Sequence, residues 1–199
     1  ININDSSYFI DRTLNGYLMI LATSIAVQNG NDFLSFMTYI FFGAYLCSIG
    51  EFELGFGIGE FGILNGLSQI KTKAVHLYYV FINHWRRHLQ TGLLKLKDGF
   101  QAGIETGDLV FSNYIASDYL RYQYCSGNYL PELKKDSEKF LQYSIKTNNK
   151  DIKLCISMFK DFLEILQGKP ILNFEDNYYL PCKESKMQLL LFLYYQHTL

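Results

Sequence analysis

Turn signals recur along this chain at a nearly constant step. Gly50, Gln90-Thr91, Gly127 and Gly168 divide it at intervals of about 36 to 41 residues, the range in which helix-pair repeats stack into solenoids. Between two such breaks, Phe33, Phe36, Met37, Ile40, Phe41, Ala44 and Cys47 recur at three- and four-residue steps and so share one helical face. With 3 prolines in 199 residues, against 16 tyrosines and 16 phenylalanines, little interrupts long helices and much can pack between them. The expected fold is all-α, an α-α superhelix of antiparallel helix pairs in a tetratricopeptide-like (TPR-like) solenoid, forming a single domain over residues 1–199.

The punctuation predicts individual helices. Asn29-Gly30-Asn31-Asp32 closes a helix over about 5–28, and Asp32 is placed to cap the next through its carboxylate. Further pairs are expected at 69–88 with 91–106, 108–126 with 129–147, and 149–167 with about 183–198. Gly107 supplies a left-handed cap between two of these helices and Asp108 an N-cap. Pro131 fits a first helical turn, where its missing N–H is not needed. Residues 169–182, framed by Pro170 and Pro181, are expected to form one long loop before the last helix.

Within Tyr39 to Gly62, Gly43 falls at the small position of a first helix and Gly50 in the turn. Phe52 follows the turn, and Gly55, Gly59 and Gly62 lie on a second helix. That is the spacing of a tetratricopeptide unit, in which small residues bring two helices close. Each interior glycine costs about 0.5–1 kcal/mol relative to alanine. Either close backbone contact offsets this or the second helix is locally irregular. The run Gly55-Phe56-Gly57-Ile58-Gly59 lacks the Gly-Lys-Ser/Thr of a phosphate loop, so helix packing is the expected role.

Composition narrows the function classes. A net charge of −1 argues against a dedicated nucleic-acid binder. Charge is nevertheless uneven: residues 1–70 hold one basic residue against six acids, and the remainder 17 basic against 13 acidic. Cys47, Cys125, Cys155 and Cys182 form no CxxC or Cys/His cluster, so no zinc site, disulfide framework or other cofactor is expected, and a reducing, cytoplasmic setting fits. Leu14–Asn31 and Phe33–Ile49 are uncharged enough to raise a membrane hairpin. No Lys or Arg lies between Arg12 and Lys71 to orient one, and polar residues interrupt both stretches, so a soluble core pair with no membrane partner is expected. A chain that opens at Ile1 reads as a segment of something longer.

Several residues stand out as contact candidates. His84 and His88 are four apart and would share a helical face, which is half a metal site, but no third ligand accompanies them. Between them Trp85, Arg86 and Arg87 combine an aromatic anchor with two guanidinium forks. Glu105 and Asp108 straddle a capping turn, which accounts for them without catalysis. Tyr119 and Tyr122 belong to a tyrosine-rich run and are candidates for a ligand groove on a concave face. The helix bearing Lys134, Lys135 and Lys139 alternates them with Glu132, Asp136 and Glu138, as a solvated face does.

Three stretches together, Phe81-Ile82-Asn83-His84-Trp85-Arg86-Arg87-His88-Leu89, Gly99 to Leu109, and Tyr122-Gln123-Tyr124-Cys125-Ser126-Gly127, resemble the helical region of bacterial, notably cyanobacterial, multi-domain signalling kinases. Such proteins join a serine/threonine-kinase-like domain, a signal-transduction ATPase of the STAND/AAA kind, a helical repeat, GAF or PAS sensors and often a histidine-kinase output. The resemblance covers about residues 14–168. It implies a segment without catalytic residues, a scaffold or regulatory arm that contacts neighbouring ATPase, kinase or sensor domains. The alternative is a sensor domain that holds a peptide or small ligand on its aromatic face.

Overall fold

Four of the described helices end in the same way. Glu51, Asn128, Asn149 and Lys169 each donate their backbone N–H to the carbonyl five residues back, on Leu46, Gln123, Ser144 and Glu164 respectively. The residue before each donor, Gly50, Gly127, Asn148 or Gly168, has positive φ. This is the Schellman closure, which satisfies carbonyls that a helix end leaves unpaired. Gly107, Gly127, Asn148 and Gly168 follow one another at steps of 20, 21 and 20 residues, so one helix and one turn form the unit of the fold.

The computed structural model describes residues 11–66, 72–169, 174–185 and Tyr194. Among them are nine α-helices, one 3₁₀ turn and no strand. They are α1 (Arg12–Asn29), α2 (Phe33–Ser48), α3 (Phe52–Gly66), α4 (Thr72–Phe81), a 3₁₀ turn (Asn83–Trp85), α5 (Gln90–Thr106), α6 (Leu109–Cys125), α7 (Leu130–Lys146), α8 (Lys150–Leu166) and α9 (Phe174–Glu184). No described helix is long and apolar enough to cross a membrane. The chain divides into two compact units, Ile1–Phe111 and Ser112–Leu199.

In the first unit, consecutive helices pack antiparallel. Asp32 starts α2 with a full capping box: its carboxylate accepts from the Ser35 amide at 2.9 Å, and the Ser35 hydroxyl accepts from the Asp32 amide at 3.1 Å. Of the apolar face expected on α2, Met37, Ile40 and Cys47 are buried with Ile63, Ala74, Tyr78 and Ile82, and Phe41 and Ala44 pack against them. The glycines of α3 meet α2 in the order an antiparallel pair requires. A Cβ on Gly55 would lie 2.7 Å from Cys47 Sγ and 2.8 Å from the Gly43 carbonyl, and one on Gly62 2.7 Å from the Phe36 carbonyl. The helix is unbroken from Phe52 to Gly66, so close contact, and not local irregularity, is what the glycines serve.

In the second unit, α6 runs antiparallel to α7, pairing Asn113 with Thr147, Tyr119 with Phe140 and Gln123 with Asp136. It runs parallel to α8, pairing Ser117 with Cys155 and Tyr124 with Phe159 and Phe162. The α8 helix is in turn antiparallel to α9, with Asp151 near Ser185 and Asp161 accepting from the Tyr178 hydroxyl at 2.5 Å. First helices of successive pairs lying side by side and parallel is the packing of tandem helix-pair repeats.

Two expectations are corrected. The helix expected over 69–88 stops at Phe81, its first residues lying outside the described ones. Asn83, fully buried, donates from its side-chain amide to Thr91 Oγ1 at 3.0 Å, which fixes the chain in a 3₁₀ turn where it would otherwise continue as α-helix. The long loop expected over 169–182 contains α9, which runs on to Glu184. Phe174, Tyr178 and Cys182 share one face there, and with Tyr194 they pack on Cys155 and Met158 of α8. That burial outweighs the backbone bond lost at Pro181. Of the last helix expected at 183–198, all but 183–185 and Tyr194 lie outside the described residues.

Asn148 is the one described non-glycine residue at positive φ, 53°. Replacing it with glycine should leave stability unchanged or raise it by up to about 1 kcal/mol, and replacing it with valine should lower it by about 1–2 kcal/mol. Urea unfolding of the two variants measures both changes.

Candidate functional site

The residues singled out around His84 are organised by α3. Phe52, Glu53, Phe56 and Glu60 lie on one side of that helix, and the 3₁₀ turn folds onto them. The Trp85 ring stacks on Phe52 with centroids 4.2 Å apart, and its indole N–H donates to the Phe81 carbonyl at 3.1 Å. Arg86 pairs with Glu53, and Arg87 with Glu60. The Arg87 guanidinium also lies 5.1 Å from the centre of the Phe56 ring. Turn and helix are thus joined by two ion pairs, one ring stack and one cation–π contact.

The groups so held remain accessible. Trp85 is 46% exposed, and the side chains of Arg86 and Arg87 are 42% and 48% exposed. Ion pairs in such water-exposed positions contribute about 0–1 kcal/mol each, so they orient the guanidiniums more than they stabilise the fold. An exposed indole in a fixed orientation beside two oriented guanidiniums presents the residue types that dominate protein interfaces.

His84 and His88 do not share a helical face. His84 lies in the 3₁₀ turn, partly buried, its ring 4.7 Å from that of Trp85. Burial holds its imidazole below the usual histidine range, partly opposed by a hydrogen bond to the Val80 backbone. His88 is exposed beyond the turn, and its Nδ1 accepts from the Gln90 amide at 3.3 Å where α5 begins. Among the described residues, no three His, Cys, Asp or Glu side chains gather closely enough to hold a metal ion.

Glu105 and Asp108 stand apart from this cluster, at the other end of α5. That helix has 17 residues and so separates the two groups by about 25 Å. Gly107 caps α5 in the left-handed conformation, and Asp108 Oδ1 accepts from the Phe111 amide at 3.2 Å. Glu105 accepts from the Gln101 side chain one turn back at 3.0 Å.

Tyr119 and Tyr122 lie on α6 in the second unit, both partly buried. Tyr119 meets Phe140 edge-on at 5.9 Å. Burial pushes its phenol up, with Asp136 adding to the effect and Gln123 opposing it. Burial raises the Tyr122 phenol as well. A groove of about 360 Å³ opens elsewhere, between α1 and α2, lined by Ala22, Ile25, Ala26, Asp32, Leu34 and Thr38 among others.

Two features escaped sequence reasoning. One is the α3 side that carries the turn, whose signal was the seven-residue spacing of Glu53 and Glu60 in an otherwise uncharged helix. The other is a buried polar ladder on α6: Asn113 to Thr147, Ser117 to Cys155, Asp118 paired with Arg121, and Gln123 to Asp136. Its members on α6, Asn113, Ser117, Asp118, Arg121 and Gln123, stand among the tyrosines that dominate this run.

A histidine neutral in the fold and more basic when unfolded makes stability depend on pH. The unfolded chain binds the extra proton, so His84's contribution is complete above about pH 6.5 and declines as pH falls toward its lowered native value. Between wild type and His84→Gln, the difference in unfolding free energy should therefore shift in favour of the variant as pH is lowered below about 6.5. Chemical denaturation across that range measures it.

No protein-family model, curated protein or solved structure matches this chain.

Proposed function

We propose that this chain is a non-catalytic helical-repeat segment of a multi-domain signalling kinase, and that it serves as a scaffold or regulatory arm through protein contacts. The observation that carries the reading is the turn over α3: Trp85, Arg86 and Arg87 are about half exposed and yet fixed by Phe52, Glu53 and Glu60. A side chain already oriented loses less entropy on binding, so a partner meets it at lower cost. Acidic groups on a neighbouring ATPase, kinase or sensor domain would compete with Glu53 and Glu60 for the two guanidiniums. The same residues lie in the stretch that resembles the helical region of such kinases. Buried Cys47, Cys155 and Cys182, all free thiols, fit a cytoplasmic setting.

The test is the double change Arg86→Ala and Arg87→Ala in a full-length kinase that carries this segment. Fold stability should fall by no more than about 2 kcal/mol, because both pairs are exposed. Kinase output or ATP turnover should change by about fivefold or more, the lower end of ordinary coupling between sites. If both activities and the association of the neighbouring domains stay as in the parent protein, the regulatory reading fails.

A further inference from the structure

Two facing helices of the second unit each bring a cysteine to the same level. Asp151 of α8 meets Ser185 of α9, and Asp161 meets Tyr178. Between these contacts, Cys155 lies four residues in from Asp151 and Cys182 three residues in from Ser185, so the antiparallel register sets the two opposite each other. Both are buried in one core cluster with Met158, Tyr178 and Tyr194. Burial pushes the Cys182 thiol up, and Cys155 adds to the effect as a close neighbour does.

Cys155 is also held from α6, where Ser117 Oγ lies 3.1 Å from its Sγ. Burial pushes this thiol up too, opposed by the Arg121 guanidinium and the Ser117 hydroxyl. With α9 docked, both sulfurs are therefore protonated and shielded from reagents.

The movable part is α9. It has 11 residues with Pro181 inside it, so a backbone bond is missing one residue before Cys182. A helix this short is marginal by itself and depends on its packing against α8. Such elements open locally at less cost than unfolding the whole chain. Opening carries Cys182 into water and leaves Cys155 on the 17-residue α8. A disulfide spans about 4.4–6.8 Å between Cα atoms, a separation that facing positions with short side chains reach when one of the two helices is free to settle.

We propose that Cys155 and Cys182 form a reversible disulfide that latches α9 onto α8, with a small-molecule disulfide such as oxidised glutathione as the oxidant. In the open state the Cys182 thiolate attacks one glutathione sulfur. A mixed S–S bond forms, the S–S bond of glutathione breaks, and one glutathione leaves. As α9 closes, Cys155 Sγ attacks Cys182 Sγ and expels the second glutathione. The two thiol protons pass to the departing glutathione thiolates and two electrons reduce the oxidant, so one protein disulfide and two glutathiones result. The latch uses the second unit alone and stands whether or not Arg86 and Arg87 contact a neighbouring domain.

The experiment equilibrates the full 199-residue chain, carrying Cys125→Ser to remove the exposed thiol, with mixtures of reduced and oxidised glutathione. Alkylation and peptide mapping then identify the paired cysteines. Folding should favour the Cys155–Cys182 disulfide about thirtyfold or more over the same pair in urea, because a bond that stabilises the fold is stabilised by it equally. Tm of the oxidised chain should rise by about 5–10 °C, a rise absent from Cys155→Ser and from Cys182→Ser. In the reduced chain, Tyr178→Phe removes the bond to Asp161 and should speed iodoacetamide labelling of Cys182 about tenfold. A disulfide to Cys47 or between molecules overturns the proposal, as does one that forms no more readily in the folded chain than in urea. Labelling indifferent to Tyr178→Phe overturns the opening of α9, and the latch with it.

Discussion

A methyl group on Gly43 would stand 2.6 Å from the Gly55 carbonyl oxygen and 2.9 Å from the Gly59 amide nitrogen. The α2 and α3 helices therefore touch through their backbones, and the first unit is arranged around that contact. Each interior glycine costs about 0.5–1 kcal/mol in propensity, which the many atom contacts of a close helix pair offset. Because α3 lies flush on α2, the rotation of α3 about its own axis is set. One flank then presents Phe52, Glu53, Phe56 and Glu60 to the 3₁₀ turn, and the far side presents Leu54, Phe61 and Leu64 to solvent.

The candidate contact turn is a consequence of this arrangement. Trp85, Arg86 and Arg87 are not on a helix of their own, and backbone propensity alone would not hold them in place. Ring stacking on Phe52 and pairing with Glu53 and Glu60 do so. The second unit reaches its order differently, through repetition: α6, α7 and α8 each have 17 residues, and α7 and α8 end in the same left-handed closure that precedes α7.

Much of the fold was legible in the residues. Asp32, Gly50, Gly107, Asp108 and Gly127 act where their backbone chemistry placed them, because caps and left-handed turns are local and depend on one or two side chains. The turn at Asn148 falls between the helices expected to end at 147 and to begin at 149; only its left-handed conformation, which asparagine enters less often than glycine, was not anticipated. The break at Asn83 was not legible, because it depends on a bond to Thr91 across a turn and on Trp85 finding Phe52, contacts distant from any local pattern. The α9 helix was hidden by Pro170 and Pro181, whose local effect is outweighed by burial of Phe174, Tyr178 and Cys182. For the candidate site, the cluster from His84 to His88 was recognisable by composition. Its supporting residues on α3, and its separation from Glu105 and Asp108 by the length of α5, emerge only from the folded chain.

The same chemical change made at two positions on neighbouring helices tests the central contact most directly. Thermal and urea unfolding of Gly43→Ala and Gly57→Ala compares a glycine whose new methyl would strike the Gly55 carbonyl with one whose methyl would meet nothing within 4 Å. Gly43→Ala should lose about 1–3 kcal/mol through overpacking, and Gly57→Ala should gain about 0.5–1 kcal/mol in helix propensity. Equal gains at both positions would contradict a backbone-to-backbone contact between α2 and α3, and with it the account of how the turn is positioned.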